Sequence, residues 1–180
     1  MNRLVDETDY THYIGGGESD DRALSKGNAY HKAMECIDFN ADFSSEWQRL
    51  CDNYGIEEFA DKQKLYDAYE KIKPMLGKNY YREKQFVLNL NGMLVQGVID
   101  IMITDGENCT VIDYKTSNPS TIVSGGYDLQ LAVYRLAAEN ILGLKVTKTL
   151  IYSFVLSDFI EIPRERTDSA IKKFFEKRDG

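Results

Sequence analysis

The 180-residue sequence contains little of what several common classes of protein require. Its three cysteines lie far apart and form no CxxC pair, which argues against a disulfide framework and against a cysteine-built zinc or iron–sulfur site. No apolar run approaches membrane-spanning length, and the N-terminus lacks a signal-peptide pattern. These absences predict a protein of the reducing cytoplasm with no membrane contact.

Basic residues are in the minority. The chain has 22 Lys and Arg against 29 Asp and Glu, which gives a net charge of −7. This balance argues against a general nucleic-acid-binding surface, but it is compatible with a nuclease because the metal site of a nuclease is itself acidic. The phosphate-loop pattern GxxxxGK[ST] is also missing, so the chain has no visible ATPase of its own.

The sequence does contain charged residues within a strong strand signal. Residues 95–115 are rich in Val, Ile and Thr, and Asp105-Gly106 interrupts them as a hairpin turn would. Asp113 and Lys115 project from one face because strand side chains alternate. A two-residue loop sets Asp100 diagonal to Asp113, and a four-residue loop sets it directly opposite. Either register gathers both carboxylates and the ammonium on one face.

Aliphatic neighbours predict that this cluster is buried, where like charges repel each other and are desolvated. A hard divalent cation relieves both penalties, since Mg2+ favours one or two carboxylates together with water and phosphate oxygens. Lys115 is no ligand while protonated, but it can face the metal-bound water and the phosphate. The competing interpretation is a structural Asp–Lys–Asp ion network without chemistry, and the spacing alone favours neither.

The remaining pattern predicts one domain over residues 22–180 behind a polar, flexible leading segment or linker over 1–21. Apolar periodicity and turn signals predict a helix–strand order. The expected helices cover 22–39, 43–54, 57–72, 128–142 and 168–177. The expected strands outside the hairpin cover 80–90 and 145–156, and 118–127 is expected to be a loop. Asn91-Gly92 would join the first strand to the hairpin as a meander.

Three polar side chains on the predicted helices are notable. His31 lies one turn after Gly27, and its residue type alone favours an ordinary hydrogen-bonded histidine. Gln130 and Tyr134 share a helix face. The lysine-rich terminal helix is interpreted as a solvated face rather than as a DNA contact.

Four blocks, GNAYHKAME, QGVID, VIDYKTS and YDLQLAVYRL, occur in this order on these elements. They resemble the RecB-type branch of the PD-(D/E)XK nucleases, and most of all the C-terminal nuclease domain of the AddA helicase–nuclease subunit. The resemblance covers about residues 24–154. It implies the α/β, restriction-endonuclease-like fold, with a central mixed sheet and a three-strand meander flanked by helices. Relatives with an iron–sulfur cluster use four cysteines, which this chain lacks, and Ile99 stands where the family has a proline.

The resemblance implies a role for each matching residue. The implied ligands of Mg2+ or Mn2+ are His31, Asp100, Asp113 and the Tyr114 carbonyl. The implied catalytic residues are Asp100, Asp113, Lys115, Gln130 and Tyr134, the last two near the DNA backbone. Glu83 matches an acidic position on the first strand with less motif around it.

The sequence therefore predicts metal-dependent hydrolysis of DNA, as an exonuclease that acts on ends in recombination and repair and prefers single-stranded ends. The resemblance also implies a helicase motor in the same chain or in a partner chain. The alternative is a catalytically silent nuclease-fold module that acts as a DNA clamp or assembly domain. The intact Asp100, Asp113 and Lys115 speak against this alternative.

Overall fold

The computed structural model describes residues 18–77 and 79–179, with the side chains of 25–77 and 79–177. The helices in this part of the chain are α1 (Glu18–Cys36), α2 (Phe43–Tyr54), α3 (Lys62–Ile72), α4 (Pro119–Val123), α5 (Asp128–Leu142) and α6 (Arg164–Asp179). The strands are β1 (Asn79–Leu90), β2 (Met93–Thr104), β3 (Asn108–Lys115), β4 (Lys145–Ser153) and β5 (Asp158–Glu161). The predicted flexible segment 1–21 lies mostly outside the described residues, and its last residues, 18–21, belong to α1.

The strands form one mixed sheet in the order β1-β2-β3-β4-β5. Strands β3 and β4 pair in parallel through the α5 crossover, and the other neighbours pair antiparallel. The predicted α/β fold with a three-strand meander is confirmed. None of the described helices is long and apolar enough to cross a membrane.

Helices cover both faces of the sheet and create two apolar cores. One core, the α1–α3 core, packs those helices and aromatic residues such as Tyr30, Tyr152 and Phe154 against the sheet. The other, the α5–α6 core, packs aliphatic residues of α5, with flanking residues of α6, against the opposite face. The strands are therefore covered on both sides where β2, β3 and β4 lie side by side.

Three element predictions are wrong, each because a local cap or turn decided the conformation. The helix predicted over 57–72 is a 3-10 turn at Ile56–Glu58 followed by α3, which the Asp61 side chain caps through the Lys64 N–H. The loop predicted over 118–127 contains α4, because Asn118 caps the Ser120 N–H and Pro119 occupies the first helical position. The strand predicted over 145–156 ends at Ser153 and turns back as β5.

The β1–β2 hairpin turns at Asn91 and Gly92, whose φ values of 50° and 86° are those that a tight hairpin turn requires. Leu90 pairs with Met93, and the same ladder continues to the far end of both strands. At Glu83, however, φ is 47°, and the Glu83 position makes no regular ladder pair. Glu83 is therefore a local break in an otherwise continuous pair of strands.

The break at Glu83 exchanges the two faces of the hairpin. On β1, Phe86 belongs to the α5–α6 core, whereas Tyr80 packs on the α1–α3 core. On β2, Ile99 belongs to the α5–α6 core, whereas Ile101 belongs to the α1–α3 core. Regular alternation would keep each of these pairs on one face. The side chains of β2 therefore change faces on either side of Asp100.

Candidate active site

Helix α1 brings His31 to the sheet, and several contacts fix where this helix ends. Arg82 on β1 donates to the Ile37 and Met34 carbonyls at 2.5 and 3.3 Å. These bonds supply partners for carbonyls at the C-terminal end of the helix. Buried Glu46 accepts from the Asp38 N–H at 2.7 Å. Since Arg82 is the neighbour of Glu83, the same contacts fix α1 relative to the break in β1.

The register between β2 and β3 decides where the two aspartates meet. Ile101 pairs with Ile112 and Thr104 with Cys109, so the loop is Asp105–Asn108 and the same register sets Asp100 opposite Asp113. The four-residue alternative is thus the correct one. Asp105 selects it, because its carboxylate accepts from the Glu107 and Asn108 N–H groups at 2.9 and 2.7 Å.

His31 lies between two oxygen acceptors. Its Nε2 donates to the Tyr114 carbonyl at 3.0 Å, and its Nδ1 is 3.5 Å from Oδ1 of Asp100. Burial lowers the pKa of His31, but the Asp100 carboxylate outweighs this effect and raises the pKa to about 9. Two acceptors and a raised pKa are typical of an imidazolium, so His31 acts as a cation in the metal-free site.

Glu83 joins His31 and Asp100 to form the candidate metal centre. One ligand atom from each of the three residues lies within 4.8 Å of the others. Burial, with the charge of Asp100, raises the pKa of Glu83 to about 7. Although burial opposes it, the pKa of Asp100 is lowered by His31, Lys115 and the Tyr114 N–H, which donates to Oδ2 at 2.7 Å. The carboxylates of Glu83 and Asp100 both interact with the positive charge of His31.

Asp113 and Lys115 form the second half of the site. Asp113 is 1% exposed, and Nζ of Lys115 is 3.1 Å from its Oδ2. Asp113 is not part of the three-residue group within the described residues, and its predicted role as a ligand remains a prediction. Gly27, which precedes His31 by one turn, faces Thr116 next to Lys115. His31 of α1, Asp100 of β2, and Asp113 and Lys115 of β3 thus lie close together.

Gln130 and Tyr134 on α5 bond to each other. Nε2 of Gln130 donates to the Tyr134 hydroxyl at 2.9 Å, and both side chains are buried. The Tyr134 ring packs edge-on against Phe86 of β1. Their contacts place them in the packing of α5 on the sheet, and their predicted role beside the DNA backbone remains a prediction.

The chemistry of these groups fits a divalent cation. Carboxylate and carbonyl oxygens with one imidazole are ligands that Mg2+ and first-row metals accept. The Asp100 carboxylate and the Tyr114 carbonyl both face the His31 ring, so their oxygens are directed to the same place. His31, Glu83, Asp100 and the Tyr114 carbonyl are therefore the residues that could hold a metal here.

The sequence contained a signal for Glu83 besides its family position. A two-residue turn at Asn91-Gly92 pairs Leu90 with Met93, and counting back along the ladder brings Glu83 to Asp100. One contact was not predicted at all. Nζ of Lys115 lies 4.6 Å from the centre of the Tyr127 ring, which the sequence placed in a loop with no assigned role.

Comparisons with known proteins identify the family of the chain. The model of the PD-(D/E)XK nuclease superfamily matches residues 10–174. Proteins named as one of the subunits of an ATP-dependent helicase/nuclease are similar: one from Exiguobacterium sibiricum is 33% identical over 38% of this chain and 7% of its own length, and one from a Thermoanaerobacter species is 28% identical over 77% of this chain and 14% of its own length. The chain thus spans a small part of these curated relatives.

A solved structure of a Eubacterium rectale protein assigned as an exonuclease shares the fold. Its TM-score is 0.54 and its identity is 15%, and the match covers 91% of this chain and 66% of that one. The family predicted from the four sequence blocks is confirmed by the family model, which extends over most of the sequence. The chain belongs to the PD-(D/E)XK nuclease superfamily.

Proposed function

We propose that this chain is a nuclease domain that depends on Mg2+ or Mn2+ and hydrolyses DNA from its ends. The observation that carries the proposal is the convergence of His31, Glu83 and Asp100, whose ligand atoms lie within 4.8 Å of one another, beside the Lys115–Asp113 pair. A charge-rich pocket of this kind between buried strands is costly unless it binds a cation.

In this proposal His31, Asp100, Asp113 and the Tyr114 carbonyl hold the metal, and Glu83 completes the acidic side. When bound, the metal polarises the phosphate and lowers the pKa of a bound water. Lys115 stabilises negative charge that develops on the phosphate oxygens, because its ammonium is desolvated and preorganised. Gln130 and Tyr134 support the site beside the DNA backbone.

The proposed setting is recombination and repair in the cytoplasm, next to a helicase motor in the same chain or in a partner chain. The names of the relatives support this, since they combine helicase and nuclease and are much longer than the matched region. This chain has no phosphate loop of its own, so unwinding would come from elsewhere. Single-stranded ends are the proposed substrate because an unwinding motor produces them.

End-labelled single-stranded and duplex DNA, incubated with the protein and Mg2+ or Mn2+, tests the proposal. We expect products released from the ends of single strands, no requirement for ATP, and no products in chelator. A closed circular single strand is the matched substrate without ends. Cleavage that persists in chelator would contradict the proposed chemistry, and metal binding without cleavage would support the clamp alternative.

Metal choice tests the assignment of His31. Imidazole binds first-row ions better than it binds Mg2+, so Mn2+ should bind more tightly and act at lower concentration. His31→Ala should narrow the advantage of Mn2+, whereas His31 as an ordinary helical histidine would leave the ratio unchanged. Calorimetric titration of both metals into the wild type and into His31→Ala measures this ratio directly.

A further inference from the structure

The Lys115 ammonium has two defined neighbours on different elements. Its Nζ is 3.1 Å from Oδ2 of Asp113 on the same strand and 4.6 Å from the ring centre of Tyr127, which precedes α5. The Lys115 side chain is only 4% exposed, so its charge is largely removed from water. An aromatic face is a favourable neighbour for a desolvated cation, because the electrons of the ring interact with the charge.

Tyr127 is itself anchored to the strand that carries Lys115. Its hydroxyl donates to Oγ of Ser117 at 2.8 Å, and Ser117 follows Lys115 by two residues. The ring is therefore held at its hydroxyl end by the chain just beyond β3, and at its backbone end by the start of α5. A ring fixed at both ends has little freedom to move away from the ammonium.

The turn before Tyr127 is built for close packing. Gly125 has a φ of 91°, and a Cβ added to Gly126 would lie 2.9 Å from Cγ2 of Thr121 and 3.0 Å from its carbonyl oxygen. Only glycine fits these positions without a shift of the chain. The turn consequently presses against α4.

Arg166 of α6 ties down both sides of the same turn. It donates to the two carboxylate oxygens of Asp128 at 2.7 and 3.0 Å, and to the Ile122 carbonyl at 3.0 Å. Asp128 follows Tyr127 directly, and Ile122 lies in α4. Bidentate arginine contacts fix geometry as well as charge. The position of the Tyr127 ring is thus set by contacts from α4, α6 and the chain after β3.

We infer that Tyr127 is a positioning residue for Lys115, one that acts through the ammonium and not on the substrate. The inference rests on the proposed function, in which Lys115 faces the phosphate. Lysine is a point charge on a flexible four-carbon stem, so its direction must be imposed by its surroundings. The Tyr127 face closes one side of the ammonium and, together with Asp113, restricts the direction in which the ammonium points.

The activity test compares variants that keep or remove the ring face. Tyr127→Phe keeps the ring and should retain cleavage within about 3-fold of the wild type, while Tyr127→Leu and Tyr127→Met should lower kcat by about 10- to 100-fold with KM little changed, since misplacement by about 1 Å costs that much. Tyr54→Leu is the matched control, because it removes a tyrosine ring that lies near another lysine: Nζ of Lys32 is 5.8 Å from the centre of the exposed Tyr54 ring. Cleavage should be unchanged in this variant. Two ring-free variants are used so that the result does not depend on the folding of one.

A magnetic resonance readout separates positioning from general stability and does not require cleavage. In the metal-free protein, the Cε protons of Lys115 should be shifted upfield by the ring current in the wild type and in Tyr127→Phe, and should return to ordinary values in the ring-free variants. If Tyr127→Leu and Tyr127→Met cleave as fast as the wild type, or if Tyr127→Phe loses as much as they do, the inference is wrong. A wild type that cleaves nothing would overturn the proposed function instead, and the proton shifts would still report the contact.

Discussion

Two ion networks, each around a buried cation, can be compared within this one domain: one around Arg135 and one around Lys115. Each cation is 4% exposed, so both are held in a similarly dry environment. Arg135 on α5 contacts Glu139 and Asp168, and Arg164 of α6 contacts Glu139 in turn. Thr167 accepts from Nε of Arg135 at 3.2 Å. Two arginines meet two carboxylates, and the charges balance.

The Lys115 network does not balance. Three carboxylates, those of Glu83, Asp100 and Asp113, meet one ammonium and His31. Burial, with the charge of Asp100, raises the pKa of Glu83 to about 7, and the Asp100 carboxylate raises the pKa of His31 to about 9 against the effect of burial. Balanced charge holds α5 to α6, whereas the unbalanced cluster is the one proposed to bind a cation.

The largest effect should come from Lys115→Met, which removes the ammonium and leaves the three carboxylates. We expect the cleavage rate to fall about 10²- to 10³-fold, as when a preorganised group that stabilises the transition state is removed. Metal binding should persist, because Lys115 is no ligand, and the metal-induced rise in melting temperature measures it. Asp113→Asn should lose both properties, so an equal loss of the thermal shift in the two variants would contradict the assigned roles.

Arg135→Met should lower the stability of the protein and leave cleavage unchanged. Removing the buried guanidinium should cost about 1–3 kcal/mol of unfolding free energy, because Thr167 loses this donor, while Glu139 keeps Arg164 and Asp168 remains 57% exposed. Urea denaturation measures the loss. Arg164→Met is the milder control, because that side chain is 47% exposed and its ion pair should contribute less than about 1 kcal/mol. Cleavage per folded molecule should be unchanged in both variants, and a loss of cleavage would mean that the two networks are not independent.

A third prediction concerns Glu83 in the metal-free protein. Its pKa rises from 4.5 to about 7 on folding, so the folded state binds the proton more strongly and should lose stability as the pH rises from 4.5 through 7. Glu83→Gln removes this loss and should stabilise the protein by about 1–2 kcal/mol at pH 8. Denaturation between pH 4 and pH 8 in chelator would show parallel pH profiles for the two proteins if Glu83 were not crowded.

The smallest expected effect is a change in the pKa of His31. The His31 imidazole should titrate near pH 9 in the metal-free protein, and its contribution to stability should be complete below pH 6.5 and disappear as the pH rises through 9. Asp100→Asn removes the carboxylate responsible and should return the pKa toward 6.5 or below. Imidazole proton resonances, followed across pH in chelator, measure it. An unchanged pKa in Asp100→Asn would show that another group sets the charge of His31.

The sequence predicted the two hairpins and the proximity of their charged residues well, because the turn signals are local. Asn91-Gly92 and Asp105 each determine a turn, and from those turns the registers that bring Asp100 to Asp113 and Glu83 follow by counting. The choice between the two loop lengths left open at Asp105 is made by hydrogen bonds that the Asp105 side chain accepts within a few residues.

The positive φ at Glu83 and the contact of Tyr127 with Lys115 could not be predicted in the same way. The two cores pack against opposite faces of the β1–β2 hairpin at its two ends, and the break in β1 lies between them. A regular alternation of apolar residues does not predict such a break. The place of Tyr127 depends on Arg166, which lies far along the chain. Both are outcomes of tertiary packing, which overrides local preference.

The contact between His31 and the Tyr114 carbonyl joins residues 83 positions apart in the sequence. Contacts of such separation form late, because the chain must give up the entropy of a long loop before the contact returns any stabilisation. A partly folded chain in which β1 to β3 have paired but α1 has not docked would have Asp100 and Asp113 without His31. In the proposed site such a chain would lack one ligand, so metal binding at full affinity would require α1 to be docked on the sheet.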